Sequence, residues 1–223
     1  MEKAIIYKEW LKTRLTFIVA LAIAIALAVY AVIMMNRLIQ LKGVDHLWLI
    51  MLLKDNTFID IIKYLPIAAG VAVGAAQMMP EMAQSRLKLT LHLPYPMHRL
   101  VGIMILTGML ELLVIFGLQL GIIAVYDLTI LHPQLVGRVV LTTLPWYFAG
   151  FTAYLFTTAV CLEGTNRRRI ILALIGVAVL IIYFLQPAME AYNGMIIIMI
   201  LAMAAFAVLP FGSVTRFKEG RRD

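Results

Sequence analysis

The run LTFIVALAIAIALAVYAVIMM, Leu15 to Met35, carries no charged side chain. A bilayer has a hydrocarbon core of about 30 Å, and a helix crosses it with roughly 20 apolar residues. This run has that length. It is too long for a signal-peptide core and no small-x-small site follows it, so it reads as a retained span.

The rest of the chain repeats the pattern. Of the 223 residues, 63% are hydrophobic and only 14% are charged, with a mean hydropathy of +0.96. Soluble domains run near half apolar and about a quarter charged. A soluble fold of this length could not hide so much apolar surface, so lipid is the solvent. Six windows are long and apolar enough to span, at approximately 15–35, 61–79, 100–125, 139–162, 170–187 and 194–211. No polar segment is long enough for a second folded unit. The expected fold is an all-α membrane protein, one transmembrane domain over 1–223 with six transmembrane helices.

The net charge is +7. In a soluble protein that would raise nucleic acid as a partner. Here its distribution points to the membrane instead. Lys3, Lys8, Lys12, Arg14, Arg86, Lys88, Arg99, Arg167, Arg168, Arg169, Arg216, Lys218, Arg221 and Arg222 fall on one side of the six spans. Only Arg37, Lys42, Lys54 and Arg138 fall on the other. Lys63 sits inside the second window near its outer end, where a long side chain can snorkel. Cytoplasmic loops carry the excess of Lys and Arg, so both termini are expected in the cytoplasm, which agrees with an even number of spans.

Two glycine pairs, Gly70/Gly74 and Gly117/Gly121, stand four residues apart within spans. Such faces let helix backbones approach closely in lipid, inside one bundle or across a dimer seam. Pro66 falls near the start of the second span and Pro80 is expected to end it. Before the first span, MEKAIIYKEWLKTR places Ile6, Tyr7, Trp10 and Leu11 on one face and Lys8, Glu9 and Lys12 on another. It reads either as an amphipathic helix in the inner headgroup layer, anchored by Trp10, or as a basic flank that sets topology. The segment LWLIMLL (47–53) is too short to span and reads as interfacial or re-entrant. Pro187 and Gly194 mark a reversal between the last two spans.

Motifs for chemistry are missing from the sequence. There is no Walker glycine loop, no H-E-x-x-H, and no Cys/His set at zinc spacing. Ser85 and Ser213 are the two serines, and neither lies in a G-x-S-x-G turn. Cys161 stands alone. No metal or cofactor is therefore expected on this chain. Glu111 is the one carboxylate deep within a predicted span, and Gln119 lies two turns further on a nearby face. An ionisable residue at that depth is a pathway candidate, and polar glue between helices is the plainer alternative. Arg167, Arg168 and Arg169 form a cluster that either stops transfer beside anionic lipid or meets a cytoplasmic partner.

The segment Glu81–Leu100, EMAQSRLKLTLHLPYPMHRL, is the polar interruption that these readings leave unexplained. Arg86 to Leu93 alternates as a strand does. Leu87/Leu91 and Leu89/Leu93 also stand at i,i+4, so a short interfacial helix fits as well. Pro94 and Pro96 forbid a continuous helix into the third span.

Glu81, Arg86, Leu87, Thr90, Leu91, Leu93, Pro94 and Arg99, together with the six-span layout, resemble the permease subunits of type-two ABC exporters. The chain departs from their pattern at Met82, where that family has an arginine, at Leu89 in place of a glycine, and at Tyr95-Pro96-Met97. The resemblance implies a cytoplasmic coupling helix over 81–99 between spans two and three. Glu81, Arg86, Lys88, Thr90, His92 and Arg99, with Arg167, Arg168 and Arg169, would dock a separate cassette ATPase that holds ATP and magnesium. It also implies a homodimer or a sister permease, a multi-pass place in a bacterial cytoplasmic membrane, and transport, export in particular, by alternating access. A non-transporting assembly or sensor subunit is the alternative. An intramembrane enzyme built on Glu111 is the third, although His92, His98 and His132 are expected too far away to join it. Scattered tyrosines (Tyr30, Tyr64, Tyr147, Tyr154, Tyr183) in apolar spans suit lipids or amphipathic compounds as substrate.

Overall fold

The computed structural model describes residues 2–43, 59–83, 95–186 and 188–218. Among them every regular element is a helix. The segments 84–94 and 44–58 lie outside the described residues, and with them the expected coupling helix, Arg86, Lys88, Thr90, His92 and LWLIMLL.

Helix α1 runs unbroken over Glu2–Lys42. Nothing in the sequence would interrupt it, because neither Pro nor Gly occurs before Gly43. Gly43 then takes a left-handed φ of 80° and its N–H returns to the Ile39 carbonyl at 2.8 Å, a common helix stop. At 1.5 Å per residue α1 is about 61 Å long, twice the hydrocarbon thickness. The basic N-terminal segment is thus the first part of the same rod that makes span one, and not a separate interfacial helix.

The face that α1 buries is also different from the one its first turns announce. Glu9, Thr13, Ala20, Ala24, Ala28, Ala31 and Met35 are buried, a stripe with the three- and four-residue spacing of one helix face. Ile6, Tyr7, Trp10 and Leu11 are exposed. The polar face of the N-terminal turns is therefore turned into the protein and the apolar face outward. Glu9 and Thr13 find their partners there in Gln77 and Glu111.

A 3₁₀ turn at Asp60–Ile62 leads to α2, Leu65–Ala83. Pro66 lies in its first turn, where a missing N–H costs nothing. Pro80 sits inside α2, which continues to Ala83 instead of ending there. So near the C-terminal end a proline removes one bond from a ladder with little left to lose. Helix α3 covers Met97–Ile130 and starts at Pro96. Helix α4 covers Pro133–Leu162 and α5 covers Asn166–Ile182. A second 3₁₀ turn (Asn193–Met195) precedes α6, Ile196–Phe206, and α7, Leu209–Lys218.

Five stretches among the described residues are long and apolar enough to cross a membrane: Glu2–Lys42, Asp60–Ala83, Met97–Ile130, Pro133–Leu162 and Asn193–Lys218. The expected span at 170–187 corresponds to α5, which has 17 residues and is about 26 Å long. Helix α4 is the centre of the bundle, packing on α2, α3, α5, α6 and α7, while α1 lies along α2 and α3. Helices α5 and α6 bury little, with Gly176 and Met199 their only buried residues.

The two glycine pairs have separate fates. A Cβ on Gly70 would run into the carbonyl oxygen of Gly150, and one on Gly74 would lie 3.2 Å from the Tyr154 carbonyl oxygen. Gly70 and Gly74 therefore form the close α2–α4 seam. Gly117 and Gly121 have nothing within 4 Å of their Cβ positions. They line an apolar groove of about 600 Å³ with Val29, Val32 and Tyr126.

Gly70→Ala is expected to destabilise the protein by about 1–3 kcal/mol, the usual cost of overpacking, because a backbone carbonyl cannot step aside. Gly117→Ala opens no clash and removes the roughly 1 kcal/mol helix penalty of glycine. Unfolding of the detergent-solubilised variants should order them Gly117→Ala at or above wild type and Gly70→Ala below it.

Candidate functional site

The buried polar residues converge where the start of α1 meets the end of α2 and the first half of α3. Glu9, Thr13, Gln77 and Glu81 are each fully buried and Glu111 nearly so. Lys12 joins two of the carboxylates, with Nζ 2.7 Å from Glu9 Oε1 and 2.8 Å from Glu81 Oε1. Lys8 reaches the same Glu81 oxygen at 2.8 Å. Gln77 is the hub of the uncharged contacts. Its Nε2 donates to Glu9 Oε2 at 3.1 Å and to the Met104 carbonyl at 2.7 Å. Its Oε1 accepts from the Tyr154 hydroxyl at 2.7 Å. One amide thereby ties α2 to α1, α3 and α4.

The Thr13 hydroxyl, 3.1 Å from the Glu9 carbonyl, donates to Glu111 Oε1. Among the described residues, Glu111 Oε2 and Glu81 Oε2 are buried without a hydrogen-bond partner. Glu111 stands level with Thr13, before the charge-free run of α1 begins, and so nearer one end of the bundle than its middle. The 34-residue α3 is about 51 Å long, which lets Leu100 lie outside the hydrocarbon and displaces the depth expected from counting. Gln119 lies further along, fully buried, donating to the Ala24 carbonyl at 3.3 Å and accepting from Tyr147 at 3.5 Å. Both pathway candidates are therefore engaged in contacts between helices.

The connection after α2 is held at both of its described ends by α1. Glu81, in the last turn of α2, grips Lys8 and Lys12. Tyr95, just before α3, donates to Glu2 Oε1 at 2.9 Å. Partial desolvation and then the Glu2 carboxylate raise the pKa of Tyr95 above its ordinary value. Arg99 is exposed in the first turn of α3.

The arginine cluster lies at the same end of the bundle. His98 of α3 faces Phe211 of α7 with ring centroids 6.3 Å apart. Arg216 of α7 binds Glu163 Oε2 at 2.8 Å, and Ser213 donates to that oxygen at 3.1 Å. Arg169 Nε donates to the Glu163 carbonyl at 2.7 Å, while Arg167 is exposed. The starts of α1, α3 and α5 and the ends of α2, α4 and α7 thus share one end.

Of the tyrosines expected as polar handles, three are committed internally: Tyr147 to Gln119, Tyr154 to Gln77 and Tyr183 to Thr152 at 3.1 Å. Tyr30 and Tyr64 are exposed. Sequence reasoning did not find Glu9, Thr13 and Gln77 as site residues. The signal for the first two was their alignment with the alanine stripe of α1. Asp127 was missed as well: it is fully buried, and neither carboxylate oxygen has a partner among the described residues.

The arrangement defines a helical membrane protein with an internal ion-pair network at one end. No family model matches the chain, and neither a curated protein nor a solved structure was found to match it.

Thr13→Val leaves Glu111 without its donor and is expected to cost roughly 1–3 kcal/mol, the range for a buried acceptor left unsatisfied. Adding Glu111→Leu removes the orphaned group and should recover part of that loss. Unfolding of the two single variants and the double variant in detergent gives the coupling, and strictly additive losses would show that the two side chains act separately.

Proposed function

We propose that this chain is the transmembrane subunit of an ATP-binding cassette transporter, an exporter, moving its substrate by alternating access while a separate cytoplasmic ATPase supplies the work. The end that gathers Lys3, Arg14, Arg99, Arg167 and Arg216 faces the cytoplasm on this reading, by the positive-inside rule. Two such chains, or this chain and a sister permease, would enclose one pathway.

The observation that carries the proposal is the double tether of the connection 84–94. A docking segment transmits work only if its displacement reaches the spans. Glu81 at one end and Tyr95 at the other are both bonded to the first three turns of α1, and α1 is a single rod through its span. A push on the connection would move α1, and through Thr13 and Gln77 it would load α3 and α4. The chemistry of ATP lies outside this chain, whose sequence carries no phosphate-binding glycine loop.

Arg86, Lys88, Thr90, His92 and Arg99 would contact the ATPase, with Arg167 beside them. Mild solubilisation followed by affinity purification should bring down a cassette ATPase. Arg86→Glu with Arg99→Glu should abolish that association. Glu81→Gln should keep it, while the complex in proteoliposomes loses the modulation of ATP hydrolysis that the permease imposes. Recovery of partners that include no nucleotide hydrolase would overturn the proposal in favour of an assembly or sensor subunit.

A further inference from the structure

We propose that the cleft between the end of α4, the start of α5 and α7 is a binding site for an anionic phospholipid. This inference is independent of the transport reading and survives its failure.

The cleft has a volume of about 410 Å³ and is lined by Glu163, Arg168, Ile171, Leu172 and Arg216. Two of its walls are cationic and two are aliphatic. Arg169 is held beside it, its Nε donating to the Glu163 carbonyl at 2.7 Å, and among the described residues Glu163 is the one carboxylate in the lining. That carboxylate is already engaged, because Glu163 Oε2 takes both Arg216 Nη2 and the Ser213 hydroxyl. Arg216 keeps hydrogen-bonding capacity in reserve. Its Nε is buried and has no acceptor among the described residues, although a guanidinium offers five donors and a buried one is normally satisfied. The Thr165 hydroxyl next to the cluster is likewise buried without a partner. Arg216 Nε and the Thr165 hydroxyl each lack an acceptor oxygen among the described residues, which is what a phosphate supplies, and arginine forks match phosphate geometry.

The aliphatic half decides between a free phosphate and a lipid. Directly below Arg168 and Arg169, α5 presents Ile170, Ile171, Leu174 and Ile175 outward. A phosphate ester seated on Arg168 and Arg216 would lay its acyl chain along that ridge. Basic pockets between helices at a membrane surface are suited to anionic headgroups. Charge and apolar contact coincide here in the order in which a phospholipid presents them.

The test is native mass spectrometry of the full chain titrated with phosphatidylglycerol or phosphatidylcholine. Phosphatidylglycerol should bind preferentially. Arg168→Gln should weaken that binding roughly fivefold, the share of one basic residue at an anionic surface. The paired change Glu163→Gln with Arg216→Gln removes both halves of the ion pair, keeps the cleft folded, and should weaken it comparably. Arg14→Gln, an exposed cation on α1 at the same end, should leave it unchanged. Equal losses for Arg14→Gln and Arg168→Gln would reduce the effect to diffuse surface charge and overturn the site. Displacement of the lipid by inorganic phosphate at equal concentration would overturn the lipid reading, since the acyl ridge would then contribute nothing. Unaltered lipid binding in Arg168→Gln, with loss of a co-purifying protein, would reassign the cleft to a protein partner.

Discussion

A buried glutamate in the third turn of the chain constrains everything α1 can do. Glu9 is fully enclosed, and an ionised carboxylate removed from water costs several kcal/mol unless it is matched. Lys12 supplies the matching charge from its own helix, but the second oxygen is satisfied from α2 by Gln77. A one-turn slide of α1 would strip Glu9 of Gln77, Glu81 of Lys12, and Glu111 of Thr13 together. Helices in lipid have no hydrophobic force to draw them into register, because lipid tails are as apolar as leucine. The polar network is therefore suited to setting register, while the alanine stripe from Ala20 to Ala31 sets distance. Breaking one member strands the others, which is why the network acts as a unit.

Packing strength varies across the bundle for the same reason. The α2–α4 seam depends on Gly70 meeting Gly150 backbone to backbone, and α4 presents most of its length to other helices. Helices α5 and α6 have no comparable small-residue seam; Gly176 against the Phe156 ring is the nearest approach on α5. Elements with few buried contacts are the ones whose displacement costs least. The bundle thus divides into a cemented part (α1 to α4) and a looser flank. Arg216 with Glu163, and Phe206 against Phe156 at 5.1 Å, fasten that flank to α4.

That the chain is built of long apolar helices was legible because that signal is composition over some twenty residues, which neither register nor partner can alter. At the N-terminus the sequence left an amphipathic helix and a basic flank both open, and the segment is helical. Its orientation was not legible. Sorting Ile6, Tyr7, Trp10 and Leu11 from Lys8, Glu9 and Lys12 finds two faces, but assigning one inward presumes water or headgroups on the other side. The continuation of the Glu9–Thr13 face into Ala20, Ala24, Ala28 and Ala31 held the answer, since small residues mark the packed side in lipid. Glu111 and Gln119 stood out by being polar among apolar neighbours. Their partners could not be found, because a single sequence does not say which turn of one helix lies beside which turn of another. Gln77 shows the limit best: one neutral amide near a helix end carries no sequence signal, yet its two polar atoms join four helices.

The lengths of α1 and α3 explain why the network lies where it does. Rods of about 61 and 51 Å cannot fit within about 30 Å of hydrocarbon, so their ends must project into the headgroup layer or beyond. Charges are cheapest to bury there, where lysine stems can reach solvent, and Lys8, which closes the network, retains that access. Placed at mid-membrane the network would be costlier. Placed in water, its ion pairs would be screened to little effect. The boundary is the depth at which ion pairs are strong enough to couple helices while Glu81, in the last turn of α2, and Tyr95, just before α3, are both within reach of α1.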